Sequence, residues 1–136
     1  MSVYVTREPI DIGALVANVS DVGRGATVAF LGSVRRSRED GPVVAIGYTA
    51  YEEMLEAEFG RIVAEARARW PGVEVAAQHR LGDVPLGTAS IAAVAAAPHR
   101  AEAFEAARYV VEEAKRRLPV WKRERFEDGT ARWREE

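Results

Sequence analysis

Thr88-Ala-Ser-Ile-Ala-Ala-Val-Ala-Ala-Ala97, followed at once by Pro98-His99-Arg100, is the stretch from which the fold can be read. It holds no charge, glycine or proline, and it reads as a strand. Its side chains are mostly small, so a helix can pack closely on it. That helix comes next. Phe104, Ala107, Val111, Ala114 and Leu118 recur at spacings of 3, 4, 3 and 4, which predicts an α-helix over about residues 99–118. Pro119 ends it, because proline disfavours helical backbone in the residue before it. The residues from Val120 to Phe126 then read as extended.

Upstream, Val3 to Thr6 reads as a short strand. Asp11 can cap a helix whose apolar stripe is Ile12, Leu15, Val16 and Val19. Gly23-Arg-Gly25 closes that unit, and Ala26 to Val34 is a β-rich run expected to be a buried strand. Arg35 to Gly41 is polar and reads as a loop, with Arg35 at the strand end where it can face a pocket. Val43 to Tyr51 is a further strand. A long helix is expected from Glu52 to Trp70, with Leu55, Phe59, Ile62, Ala66 and Trp70 on one face and Pro71-Gly72 as its stop. Met54 and the neighbouring aromatics read as core. Val73 to Leu81 alternates, and His79 on its apolar face reads as a hydrogen-bonded structural histidine. Gly82 to Gly87 reads as a turn, and Arg132-Trp133-Arg134 as a short final strand. Hairpin-like strand pairs mixed with helix-joined ones give an α+β class: a mixed or antiparallel sheet, about three helices, and one domain over residues 1–136. A doubly wound parallel sheet is disfavoured, since Gly23-Arg-Gly25-Ala-Thr-Val lacks the third glycine of a dinucleotide loop.

Composition narrows the chemistry. The 136 residues suit a single core, and 48% hydrophobic with 29% charged content is that of a globular chain. A formal net charge of -2 gives no reason to expect nucleic acid or an anionic membrane surface as partner. No apolar run is long enough to span a bilayer and no signal-peptide pattern opens the sequence, so a cytoplasmic location is expected. There is no cysteine, which excludes disulfides, thiolate metal sites and cysteine nucleophiles. His79 and His99 have no second histidine at metal-ligand spacing, so no metal site is expected.

Of 19 basic residues, 17 are arginine; the two lysines, Lys115 and Lys122, share the segment Lys115-Arg-Arg-Leu-Pro-Val-Trp-Lys122. Arginine does not give up its proton at any accessible pH, whereas a lysine amine can when burial or nearby cations act on it. Lys115 flanks the apolar stripe, with Arg116, Arg117 and Lys122 near it in sequence. It is therefore expected to be partly desolvated and reactive. At the other end of the same helix, His99 and Arg100 stand where unpaired N–H groups and the helix dipole favour an anion. Sixteen residues separate His99 from Lys115, roughly 24 Å along a helix, so no small ligand touches both within one subunit. Either the two ends are separate sites, or two subunits set these helices antiparallel across a twofold axis.

Five blocks resemble the catalytic (large) subunit of molybdopterin synthase, the MoaE family. They are Gly25-Ala-Thr-Val-Ala-Phe-Leu-Gly-Ser-Val-Arg35, Tyr48-Thr-Ala-Tyr-Glu-Glu-Met54, His79-Arg-Leu-Gly-Asp-Val-Pro-Leu-Gly87, Ala97-Pro-His-Arg-Ala-Glu-Ala-Phe-Glu-Ala106 and Lys115-Arg-Arg-Leu-Pro-Val-Trp-Lys-Arg-Glu124. They occur in order over nearly the whole chain. The resemblance implies an α/β hammerhead-type fold and a homodimer. It also implies a partner, a small ubiquitin-like sulfur-carrier subunit, completing a heterotetramer. The carrier's C-terminal Gly-Gly thiocarboxylate would enter a pocket of this subunit. The substrate would be cyclic pyranopterin monophosphate and the product the molybdopterin dithiolene, with no resident cofactor. By position, Lys115 and Lys122 match the catalytic lysines, Arg35, His99 and Arg100 the basic residues that bind substrate, and Phe30 a pocket aromatic. Lys115 would serve as acid/base or electrostatic partner at the carbon receiving sulfur, and Lys122 would hold the thiocarboxylate or the developing negative charge. Two positions depart from the family pattern. A further basic residue often follows the final tryptophan segment, where Arg132 and Arg134 are the candidates here, and a larger flexible side chain often occupies the position of Val111. The runner-up reading is a non-catalytic oligomeric module that binds an anionic metabolite at the helix start and needs no reactive lysine.

Overall fold

The computed structural model describes residues 3–36 and 43–135, and for residues 134 and 135 the backbone alone. From residue 37 on, the loop expected at Arg35 to Gly41 lies outside the described residues. The elements run β1 (Val5–Thr6), α1 (Ile12–Val19), β2 (Ala26–Ser33), β3 (Val43–Ala50), α2 (Glu52–Arg69), β4 (Glu74–Arg80), β5 (Gly82–Pro85), β6 (Ala89–Ala97), α3 (Arg100–Arg117), β7 (Val120–Phe126) and β8 (Ala131–Glu135). They form two four-stranded sheets, ordered β1-β4-β6-β2 and β5-β3-β7-β8. Among the described residues only the β1–β4 pair is parallel, so the first sheet is mixed and the second antiparallel. The α+β class holds, with the single expected sheet divided in two.

The division occurs at a residue read from sequence as part of a turn. Gly82 has φ +89°, a conformation costly for any side chain, and lets the chain leave β4 and cross to the second sheet. Val84 then pairs with Ile46, which makes residues 82–85 a short edge strand; the turn is confined to residues 86–88. Gly87, at φ +80°, supplies its positive-φ position.

The alanine-rich strand explains how the first sheet is covered. Residues Ala92 to Ala97 are at most 1% exposed. Ala93, Ala95 and Ala97 face the main core with α2 and α3, whereas Ala92, Val94 and Ala96 pack under Leu15 and Val19 of α1. A strand covered on both faces reads as a continuous run without alternation. The same cover explains why Ala76 of β4 is buried although it lies opposite the predicted apolar face. Asp11 caps α1 as expected, its Oδ1 accepting the Ala14 N–H at 3.1 Å. Leu55, Phe59, Ile62 and Ala66 of α2 are fully buried, and Gly72 at φ +91° follows the end of that helix.

The α3 stripe differs from the expectation. Its buried residues are Ala103, Ala106, Ala107, Val110 and Ala114, while Phe104 is 61% exposed. The closest approach to the alanine strand favours the helix's own alanines, which displaces its bulkier side chains to the flank. Phe104 and Val111 there join Val28 and Phe30 of β2 around a cavity of about 260 Å³. Met54, read as core, is likewise exposed. β2 is the edge of its sheet, and its eight residues carry no charge and no proline. Natural sheets usually blunt an edge of this kind.

Candidate active site

The site residues expected on helix α3 stand at its two ends. At its start His99 is the N-cap in extended conformation (φ -129°, ψ 155°), and its side chain makes no capping hydrogen bond. The first-turn N–H groups thus receive no acceptor from the N-cap side chain. His99 and Arg100 are both exposed beside them, an arrangement that suits a phosphate or carboxylate. Gly25 makes the close approach possible, because a Cβ there would lie 3.0 Å from the Pro98 carbonyl oxygen.

At the other end, Lys115 lies in the last turn of α3, Leu118 is the C-cap and Pro119 turns the chain into β7. Lys122 is half-buried and sits opposite Tyr48 of β3. On β7 the side chains alternate, so Val120, Lys122, Glu124 and Phe126 share one face. Phe30, 37% exposed, reaches the flank of α3 at Val111, one turn before Lys115. Arg35 is exposed just past β2. The segment leading to it is held by hydrogen bonds from the Val34 N–H to the Thr88 carbonyl (3.0 Å) and from the Gly87 N–H to the Val34 carbonyl (2.8 Å). β2 and α3 both run away from the Ala97–His99 corner, since Ala26 pairs with Ala97 and Gly32 with Ile91. Arg35 and Lys115 therefore lie toward the end of the molecule away from that corner, with Phe30 beside the middle of α3 and Lys122 on β7 beyond the Pro119 joint. His99 and Arg100 belong to the other end, roughly 24 Å from Lys115 along an uninterrupted helix.

Two expectations at this site are corrected. Lys115 is exposed in the isolated chain, not partly desolvated. Arg116 and Arg117 do not act as free cations beside it. Arg116 pairs with Glu113, and Arg117 is gripped by Glu58, Glu65 and Glu113. Sequence reasoning missed Glu124, which is 2% exposed and lies within 3.3 and 3.4 Å of Arg132 Nη2. Strand alternation from Val120 would have placed its carboxylate on the inward face with Lys122. Arg132, a candidate for the additional basic residue, is engaged in that pair. His79 is structural as expected: it is 1% exposed, its Nδ1 is 2.8 Å from the Arg80 carbonyl, and its ring meets Tyr48 edge-on at 5.1 Å. Among the described residues no group of three or more His, Cys, Asp or Glu could hold a metal ion, and no helix is long and apolar enough to cross a membrane.

Known proteins share both sequence and architecture with this chain. The molybdopterin synthase catalytic subunit of Oryza sativa is 43% identical over 126 residues, covering 93% of this chain and 65% of that protein. The subunit of the same name from Nostoc is 37% identical over 133 residues, covering 97% and 81%. The chain spans about a third of the length of the relatives of that name from Drosophila willistoni and Drosophila erecta, 35% and 37%. The crystal structure of molybdopterin synthase from Staphylococcus aureus superposes with a TM-score of 0.92 at 29% identity, covering 96% of this chain and 95% of that one. The family described as MoaE protein matches residues 5–117, from β1 to the last residue of α3. The chain belongs to the MoaE protein family.

Proposed function

We propose that this chain catalyses sulfur transfer from the C-terminal thiocarboxylate of a small ubiquitin-like carrier subunit to cyclic pyranopterin monophosphate, forming the molybdopterin dithiolene in the cytoplasm. One observation carries most of the weight. The only two lysines of an arginine-rich chain stand on either side of the Leu118–Pro119 joint, and Phe30 lines a cavity on the flank of α3 that extends to Val111, one turn before Lys115. Lys115 is the acid/base or electrostatic partner at the carbon receiving sulfur, and Lys122 holds the thiocarboxylate or the developing negative charge. Arg35, His99 and Arg100 hold the anionic substrate, with Phe30 against the pterin.

The working unit in this reading is a homodimer. The uncharged β2 edge and the exposed Phe104 beside it are the surfaces that a second copy would cover. β2 and α3 run in the same direction, so antiparallel pairing of two β2 edges sets the two α3 helices antiparallel as well. His99 and Arg100 of one subunit then approach Lys115 and Lys122 of the other, and each site is composite. The test is incubation of the chain with thiocarboxylated carrier and the pterin precursor, followed by assay for the dithiolene. Formation of the dithiolene at a catalytic rate is expected. Binding of the carrier tail without turnover would reduce the chain to a scaffold.

A further inference from the structure

Arg117 is the last residue of α3, and it joins that helix to α2. Its Nε donates to Glu58 Oε1 at 2.7 Å, its Nη1 and Nη2 donate to the Glu65 carboxylate at 2.6 and 3.0 Å, and its Nη1 reaches Glu113 at 3.2 Å. The Tyr109 hydroxyl donates to Glu65 at 2.7 Å. Glu58 also takes Arg61, and Glu113 takes Arg116. Three carboxylates thus meet three guanidiniums, and the cluster carries no excess charge with which to attract an anion. Hydrogen bonds from Arg117 and Tyr109 hold the Glu65 carboxyl down at about 2.

The cluster is one end of a seam between antiparallel helices. At its far end the Trp70 indole donates to Glu105 at 2.8 Å, and its ring meets Tyr109 edge-on at 5.6 Å. Tyr109, Glu113 and Arg117 recur every four residues and face α2. Glu58 and Glu65 stand seven apart on α2, two turns of one face. A guanidinium can bridge two such carboxylates because its donors form a rigid fork; an ammonium is a point charge. Lys115 precedes Arg117 by two residues, about 200° around the helix, and points away from the seam.

We propose that Arg117 is a positioning residue for the sulfur-transfer reaction: by gripping Glu58 and Glu65 it fixes the rotation of the last turn of α3 and the departure of the chain at Pro119, and so places Lys115 and Lys122 relative to each other. This rests on the function proposed above. Arg117 acts through the lysines and not on the substrate. The lever is short. Rotation of the last turn by about 20° moves a side chain at ~6 Å from the helix axis by roughly 2 Å. A misplacement of about 1 Å can cost on the order of 100-fold in rate.

The test uses the reconstituted complex of this chain with the carrier, carrying Arg117→Gln. kcat is expected to fall about tenfold or more, with KM for carrier and precursor each within about twofold of wild type, at a temperature where circular dichroism shows the variant folded. Because the chain has only Lys115 and Lys122, labelling with 13C-lysine gives two side-chain signals. Both are expected to shift in the variant. An unchanged kcat, a loss expressed wholly in KM, a loss that merely follows the unfolded fraction, or unmoved lysine signals would each overturn the proposal. Should Arg117→Gln fail to fold, Glu65→Gln keeps the shape, weakens the grip and is judged by the same criteria. If wild type forms no dithiolene, the functional reading fails instead, and the lysine signals still decide whether Arg117 places those side chains.

Discussion

The uninterrupted run of α3 makes the proposed composite site open to a complementation test. His99→Ala and Lys115→Ala chains are prepared separately with different affinity tags, then unfolded and refolded together, or co-expressed, so that subunits exchange. The structure sets the magnitude. His99 and Lys115 lie roughly 24 Å apart, so a substrate held by both must bridge two subunits. Each parent homodimer then has one lesion in each of its two sites. In a mixed dimer one site collects both lesions and the other is intact. Random exchange makes about half of the dimers mixed, and half of the sites in those are whole, so activity should return to about a quarter of wild type for a closed twofold dimer. Dimers purified through both tags should reach about half. The assay is dithiolene formation per mole of chain. Purified mixed dimers no more active than the parents would refute the shared site and place both residues in one subunit or in separate sites.

Other outcomes are expected from single changes. Lys115→Arg should fold normally and lose nearly all turnover, since charge is kept and proton exchange is lost; near-normal turnover in single-cycle kinetics would leave the residue a purely electrostatic part. Arg35→Ala should weaken binding of the precursor and leave carrier affinity unchanged by calorimetry; the reverse would assign Arg35 to the protein interface. Phe59→Ala removes a ring that is 0% exposed and stacked on Tyr4 at 5.3 Å. It should cost about 3–5 kcal/mol by urea unfolding, and a loss under about 1 kcal/mol would mean that the site collapses freely. Glu58, Glu65 and Glu113 are all held below the ordinary carboxylate value of 4.5 by guanidinium partners, Glu65 to about 2. Depressed carboxylates contribute stability above the unfolded value and lose it as pH falls. The gap in urea midpoint between wild type and Arg117→Met should therefore be full at pH 7, shrink below about 4.5, close near 2, and narrow with salt. A gap equal at pH 7 and pH 3 would show that packing, not charge, holds the cluster.

Most of the architecture was legible where one periodicity dominated. Asp11, the α2 stripe and the Pro119 break follow from local chemistry, and they stand where expected. What local chemistry did not supply was the identity of the covering layer. Periodicity alone could not show that α3 would turn its alanines to the sheet, because that choice depends on the small side chains of a different element. Phe104 and Val111 made an equally regular stripe, and only the bulk of the facing strand decides between the two. The division into two sheets was hidden in Gly82, whose positive φ looks like turn chemistry from sequence. At the site, the residues themselves were legible as two separated groups. The state of Lys115 was not, because nearness in sequence to Arg116 and Arg117 says nothing about the carboxylates from α2 that neutralise them.

The register of β2 also bears on the order in which the chain folds. Ala26 must find Ala97, and Gly32 must find Ile91, across the whole of β3, α2, β4 and β5. β4, β5 and β6 are near neighbours in the chain, and α3 follows directly on β6. Loop closure over long separations is slow, so β2 is expected to be among the last strands added to its sheet. The uncharged edge that a second copy would cover then becomes available only once the rest of the first sheet is in place. An incomplete chain would lack the template for pairing, so contact between copies along this edge would wait until each has a formed core.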